Sequence, residues 1–154
     1  MDNIYLRSFT DDDISLLAGW LKAPHVERWY EHPEDWLAEA AQRGGAFSFI
    51  HHKIAMLGDI PVGFCQYYDC YFSQEEEFPA QKPGKVYSID YLIGEERYLR
   101  KGCCKQMTAL MLAEIGPGKT VMAQPDSENT ASCHTLLSCG FTFDEKLQVY
   151  VKAL

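Results

Sequence analysis

An apolar run, Val86-Tyr87-Ser88-Ile89-Asp90-Tyr91-Leu92-Ile93, passes through a charged connection over 94–101 into a helix that opens at Gly102. A helix start leaves its first amides without intrahelical partners and points the positive end of the helix dipole outward. Such a junction suits a bound anion such as a pyrophosphate. Gly102 lets the backbone approach phosphates closely, and Arg100, Lys101 and Lys105 add positive charge. A basic helix start in a solvated loop is the competing account, since a single glycine is a weak signal. Asp90 is the second unusual feature. A carboxylate flanked by Ile89 and Tyr91 inside a strand is depleted by strand preference and costly to bury, which marks it for proton chemistry. Pairing with a nearby base is its structural alternative.

The rest of the chain sets that junction in a larger pattern. Residues 4–9 alternate apolar and polar and predict a first strand. Thr10, followed by Asp11, Asp12 and Asp13, predicts an N-cap and an acidic first turn for a helix to about Leu21, with Ile14, Leu17 and Leu21 on one face. Pro24 and Pro33 punctuate short helices over 25–30 and 34–42, closed by Gly44 and Gly45. Runs over 46–57 and 60–71 predict strands joined through a hairpin turn at Gly58-Asp59. Residues 73–84 read as a polar surface loop. Met107, Leu110, Met111 and Ile115 line one helix face that ends at Gly116-Pro117-Gly118. A short strand over 119–123, a helix over 129–138 stopped by Gly140, and a strand region over 141–152 bent near Glu145 complete the order. The expected fold is α/β in the α+β sense. One domain over 1–154 would hold a mixed, mostly antiparallel central sheet flanked by helices.

Composition removes several classes of function. The net charge of −8 is the wrong sign for a protein that grips nucleic acid phosphates, and suits cationic partners. No apolar run reaches the ~18–20 residues that cross a bilayer, and the N-terminus shows no secretory pattern. No membrane partner and a cytoplasmic location are the expectations. The six cysteines, Cys65, Cys70, Cys103, Cys104, Cys133 and Cys139, offer neither a C-x-x-C pair nor zinc spacing. His51 and His52 are adjacent, so on a strand they point to opposite faces and cannot share a metal. No metal is expected. Gly116-Pro117-Gly118-Lys119-Thr120 imitates the end of a nucleotide-binding P-loop, but its first glycine would fall at Ala113, inside a helix, and a strand follows.

Taken in order, these segments resemble the GNAT acetyltransferase superfamily, and within it the aminoglycoside 6′-N-acetyltransferases. The residues that carry the resemblance are Ile60-Pro61-Val62-Gly63-Phe64 with Gln66-Tyr67, then Ser88-Ile89-Asp90, Ile93-Gly94-Glu95 and Lys101-Gly102. Asn129, eleven residues before Gly140-Phe141, and the early Trp20-Leu21, Pro24-His25-Val26 and Trp29-Tyr30 fit the same group. The resemblance implies acetyl-CoA as co-substrate. The backbone of Leu99, Arg100, Lys101, Gly102, Cys103, Cys104 and Lys105 would hold the pyrophosphate, and Tyr91, Leu92 and Ile93 would pair with the pantetheine arm. An N–H near Leu92 would polarise the thioester carbonyl, and Asn129 would contact the arm from the other side. Asp90 would bind the acceptor ammonium, take its proton and orient the free amine.

Two positions depart from that pattern. Leu99 and Cys104 stand where the phosphate motif commonly has glutamine or arginine and a glycine or alanine. Leu136 stands where many members have a tyrosine that protonates the departing thiolate; water, Cys133, Cys139 or His134 are the alternatives left. On the acceptor side, Tyr67 and Tyr71, with Tyr68 and Phe72, are candidates for a stacking wall, although strand alternation sends about half of them to the core. Glu76, within the run Glu75 to Glu77, is a candidate for meeting amino groups, against a merely solvated acidic loop. The expected acceptor is a cationic small-molecule amine, with an aminoglycoside first. A siderophore precursor, polyamine or peptide amine is the alternative, as is an acyl-CoA-binding domain without turnover. A homodimer is in keeping with the superfamily.

Overall fold

A computed structural model describes residues 3–76 and 78–154. β1 (Ile4–Ser8) leads into α1 (Asp13–Leu21), α2 (Pro24–Glu27) and α3 (Pro33–Ala41). β2 (Ile50–Leu57), β3 (Ile60–Asp69), the short α4 (Cys70–Ser73) and β4 (Val86–Ile93) follow. α5 (Cys103–Ile115), β5 (Thr120–Ala123), α6 (Thr130–Ser138), β6 (Thr142–Asp144) and β7 (Val149–Ala153) close the chain. The strands form one sheet in the order β1-β2-β3-β4-β5-β7-β6. β4 and β5 run parallel, and every other neighbouring pair is antiparallel. This is the mixed, mostly antiparallel sheet that the pattern predicts.

Several boundaries move for physical reasons. Thr10 does not cap α1. Its N–H and Oγ1 instead donate to the Asp13 carboxylate at 2.8 and 3.0 Å, and Arg7 grips the same group with two bonds of 2.7 and 2.8 Å. Asp13 is therefore buried rather than an exposed first-turn acid, and the Arg7 hydrogen bonds hold its pKa below the usual carboxylate value. The helix expected over 25–30 stops at Glu27, which leaves Trp29 and Tyr30 outside it. The strand expected from Ala46 begins at Ile50, because residues 42–50 close on themselves in turns such as Phe47 N–H to the Gln42 carbonyl at 3.1 Å. The bent strand over 141–152 is a hairpin of β6 and β7, reversed through a turn whose Gln148 has φ 59°.

Alternation sorts the sheet into two faces. Cys65, Tyr67, Ile89, Tyr91 and Ile93 pack with Met107, Met111 and Leu136 beneath α5 and α6. Phe64 and Leu92 pack with Leu17, Trp20, Leu21 and Val26 beneath α1 and α2. The N-terminal helices are locked to the end of β4 by a close approach: a Cβ on Gly94 would lie 2.0 Å from the Trp20 ring. Trp20 Nε1 then donates to Glu95 Oε1 at 3.1 Å. The polar loop after α4 is tied down more firmly than a surface loop. Phe78 is 6% exposed, Gly84 N–H donates to Asp69 Oδ2 at 2.6 Å, and Lys119 Nζ donates to the Gly84 carbonyl at 2.8 Å.

Candidate active site

The sheet opens between its parallel strands. β4 and β5 pair only over Val86–Thr120, Tyr87–Val121 and Ser88–Met122, so residues 89–93 present a free edge. The Tyr91 and Ile93 carbonyls point into that opening, where Tyr30 Oη donates to the first and His25 Nε2 lies 2.9 Å from the second. Backbone groups of alternate residues share a direction, so the N–H groups facing the opening belong to Tyr91 and Ile93. The neighbouring Leu92 faces β3 instead, as does Gly94, whose N–H reaches the Val62 carbonyl at 2.9 Å. Near Leu92, the N–H groups that face the opening are thus those of its flanking residues.

A cleft of about 1490 Å³ runs along this edge. It exceeds the ~300–1,000 Å³ of a compact small-molecule pocket and suits an extended ligand. Asp90, Tyr91, Leu92, Ile93, Leu99, Arg100, Gly102, Cys103, Cys104, Lys105 and Asn129 line it. Lys101 does not; it lines a separate cavity of about 330 Å³ with Ile4, Leu57 and Arg97. α5 begins behind the opening. Gln106 N–H is already bonded to the Gly102 carbonyl, which leaves the amides of Cys103, Cys104 and Lys105 as the unpaired first turn. Gly102 has φ +79°, and nothing lies within 4 Å of where its Cβ would be. Arg100 also takes a left-handed backbone, with φ 62°. Left-handed residues alternating with ordinary ones gather successive N–H groups into an anion-binding concavity. Free amides, open space over Gly102 and two cleft-facing cations fit a diphosphate.

Asp90 sits at the lip on the other face. Gln66 Nε2 donates to its Oδ2 at 3.0 Å from the paired position on β3. Burial pushes the Asp90 carboxyl up to about 6; the Gln66 bond opposes this, and the charges of Glu75 and Glu39 reinforce it. Glu39 is itself raised by burial and by Asp35 and Glu75. Tyr68 donates to Glu75 Oε1 at 2.6 Å, joining the loop after α4 to the same group.

The acceptor-side expectations divide. Tyr67 is not with Asp90: it lies on the opposite face, stacked on His51 at 4.7 Å, and its hydroxyl donates to Glu114 Oε1 at 2.7 Å. Tyr68, one residue on, takes the Asp90 face. Tyr71 is 39% exposed and meets Phe72 edge-on at 5.3 Å. Glu76 is exposed, Glu75 is the acid that joins the cluster, and Glu77 lies outside the described residues. Glu39 carries no local signal in the sequence, and His25 and Tyr30 lie in segments that carry the family resemblance without marking them as site residues. Their relation to Asp90 and to the β4 edge is purely tertiary.

The two thiols that open α5 are poorly suited to acyl-carrier chemistry. Burial pushes Cys104 up to about 12 and also raises Cys103. Leu136 is fully buried. Cys133 lines the cleft with its Sγ 3.9 Å from the Asp126 carbonyl, whereas His134 is exposed and Cys139 Sγ lies 3.9 Å from the Lys105 carbonyl. Among the described residues, no group of three His, Cys, Asp or Glu side chains could hold a metal ion, and no helix is long and apolar enough to cross a membrane.

A seven-stranded sheet splayed at its parallel pair, with a glycine-opened helix behind the splay, is the GNAT architecture. The chain belongs to the acetyltransferase (GNAT) domain family, whose model matches residues 10–149. Aminoglycoside N(6′)-acetyltransferases type 1 of Klebsiella pneumoniae and Serratia marcescens are each 28% identical to it over 107 residues, 66% of this chain. That match spans about half of each relative, 53% of its length. The solved structure of AAC(6′)-Ib with parmomycin and acetyl-CoA superposes with a TM-score of 0.81 at 21% identity, over 99% of this chain and 94% of that one. The aminoglycoside N(6′)-acetyltransferase of Legionella pneumophila gives a TM-score of 0.75 at 19% identity, over 98% and 91%.

Proposed function

We propose that the chain moves an acetyl group from acetyl-CoA to a primary amine of a cationic small molecule, with 6′-N-acetylation of an aminoglycoside-type sugar as the first candidate. The observation that carries this reading is Asp90, a carboxylate at the lip of the cleft, raised to about 6 and backed by Glu39 and Glu75. When bound, acetyl-CoA supplies an acetyl group on a thioester. The amides of Cys103, Cys104 and Lys105, with Arg100 and Lys105 side chains, hold its diphosphate. The free edge at Tyr91 and Ile93 receives the pantetheine arm and offers N–H groups to the carbonyl oxygen. Asn129 meets the arm from α6.

Asp90 binds the ammonium form of the acceptor, takes its proton and holds the free amine in line. A base near pKa 6 is largely ionised at neutral pH yet still strong enough to deprotonate an amine held against it. Glu75 and Glu39 place further negative charge on the acceptor side, which suits a substrate with more than one ammonium group. Tyr71 and Phe72 are exposed aromatic side chains a few residues before Glu75. The raised Cys103 and Cys104 thiols favour direct transfer over an acyl-enzyme.

A second reading, acyl-CoA binding without turnover, draws on the buried Leu136, which offers no proton. CoA release measured with kanamycin-type sugars, polyamines and peptides tests both. Transfer to the sugars alone supports the first candidate; transfer to polyamines or peptides moves the acceptor class. Tight acetyl-CoA binding by calorimetry with every amine silent supports the second reading.

A further inference from the structure

The free edge of β4 is unevenly served. Residues 89–93 have no strand beside them, so the N–H and C=O groups of Tyr91 and Ile93 face the opening. Both carbonyls are taken. Tyr30 Oη donates to that of Tyr91, and His25 Nε2 lies 2.9 Å from that of Ile93. A carbonyl only accepts, so His25 carries a proton on Nε2. Among the described residues, nothing accepts from the two N–H groups. A bare strand edge alternates donors with acceptors and templates another strand. With its acceptors capped, this one keeps donors only. The caps are firmly held. α2 starts at Pro24, and Val26, next to His25, is 2% exposed. Tyr30 stands edge-on to Trp36 at 5.1 Å, and Trp36 edge-on to Phe64 at 6.5 Å, the β3 residue paired with Leu92. Burial, followed by the charge of Asp90, holds the Tyr30 phenol well above its ordinary value, so this donor keeps its proton.

We infer, on the transfer reading above, that His25 and Tyr30 are positioning residues for acetyl-CoA: they cap the acceptors of the β4 edge, so that it meets the arm through the Tyr91 and Ile93 N–H groups alone. With the thioester counted, carbonyls outnumber amide N–H groups along the arm, so an edge of donors suits it. A polypeptide strand would bring its N–H groups against carbonyls already taken. Uncapped, the Tyr91 and Ile93 carbonyls would compete for the N–H groups of the arm and let it settle in a second register. The thioester carbonyl would then be displaced from its donor, and small misplacements of a reacting group are costly in rate. The caps reach the edge from the α2 side and stay in place when the arm enters.

Isotope-edited infrared spectra of bound acetyl-CoA, labelled at the thioester carbonyl, read the donor directly. In wild type the band should lie below its position in free acetyl-CoA, as a donated hydrogen bond requires. His25→Leu and Tyr30→Phe should each return it part of the way toward the free position. The calorimetric Kd for CoA should stay within about twofold of wild type, because the diphosphate loop is untouched. Turnover should fall about 5–20-fold in kcat with little change in KM for acetyl-CoA. His25→Gln, whose Nε2 donates at a similar reach, should restore both the band and kcat. If a variant fails to fold, wild type alone decides. Histidine-selective nitrogen NMR should show the His25 Nε2 proton shielded from exchange before and after acetyl-CoA is added. Release of that proton to exchange on binding, a wild-type band at the free position, a band unmoved in both variants, or a His25→Gln no better than His25→Leu overturns the inference and leaves the transfer reading standing. A wild-type protein that binds no acetyl-CoA overturns both.

Discussion

Gln66 Nε2 donates to Asp90 Oδ2 at 3.0 Å across the β3–β4 pair, and this bond opposes the burial that raises the Asp90 carboxyl to about 6. A donor to the charged form lowers a pKa, whereas a nearby negative charge raises it. In the pH profile of kcat/KM, the acid limb should therefore fall near pH 6 for wild type. Gln66→Leu should move it upward and Glu75→Gln downward. Two variants that shift the limb the same way would contradict this account of Asp90.

Asp90→Asn should cut turnover by at least about tenfold with little change in acetyl-CoA affinity. Stability should move the other way. The folded carboxyl holds its proton more tightly than the unfolded one, at about 6 against 3.8, so its contribution is full below about 3.8 and is lost as pH rises through about 6. Asparagine has no charge to bury. The variant should melt above wild type at about pH 8, with the gap narrowing toward pH 4. Differential scanning calorimetry at the two pH values decides it.

Gly102 holds φ +79° at the start of α5 with open space beside it, so the cost of a side chain there is backbone strain rather than collision. Gly102→Ala should cost about 1 kcal/mol in the left-handed conformation, roughly a fivefold rise in Kd for CoA if the strain is borne by the binding loop. Titration calorimetry with CoA reads this directly. Unchanged affinity would remove the loop from the diphosphate site.

Gly94 presents the opposite case. An added methyl would stand 2.0 Å from the Trp20 ring, in a contact between α1 and the end of β4. Gly94→Ala should destabilise by about 1–3 kcal/mol through overpacking, seen as a lower urea midpoint. Trp20 would have to move, and its bond to Glu95 would be lost with it. A midpoint equal to wild type would mean that this junction is loose.

The strand Val86–Ile93 and the helix opening at Gly102 were legible because hydrophobic period and a left-handed glycine are local signals. So were the opposed His51 and His52: the first is exposed, and the second is buried against Phe9 and Phe64. The side assigned to Tyr67 and the cap assigned to Thr10 were not. Strand alternation says only that Tyr67 and Tyr68 differ, not which of them shares a face with Asp90, and Thr10 lost its expected role to an Arg7–Asp13 pair that forms only once β1 meets α1.

Element order, the acid in β4 and the glycine-opened helix were determined along the chain, because each depends on residues within a few positions of one another. The partners that give those parts their chemistry were decided by packing. Glu39 from α3 and Glu75 from the loop after α4 both reach the field of Asp90, and Tyr30 meets the β4 edge from sixty-one residues away. Desolvation and electrostatic coupling act through space, so the acidity of Asp90 has no expression in its sequence neighbours.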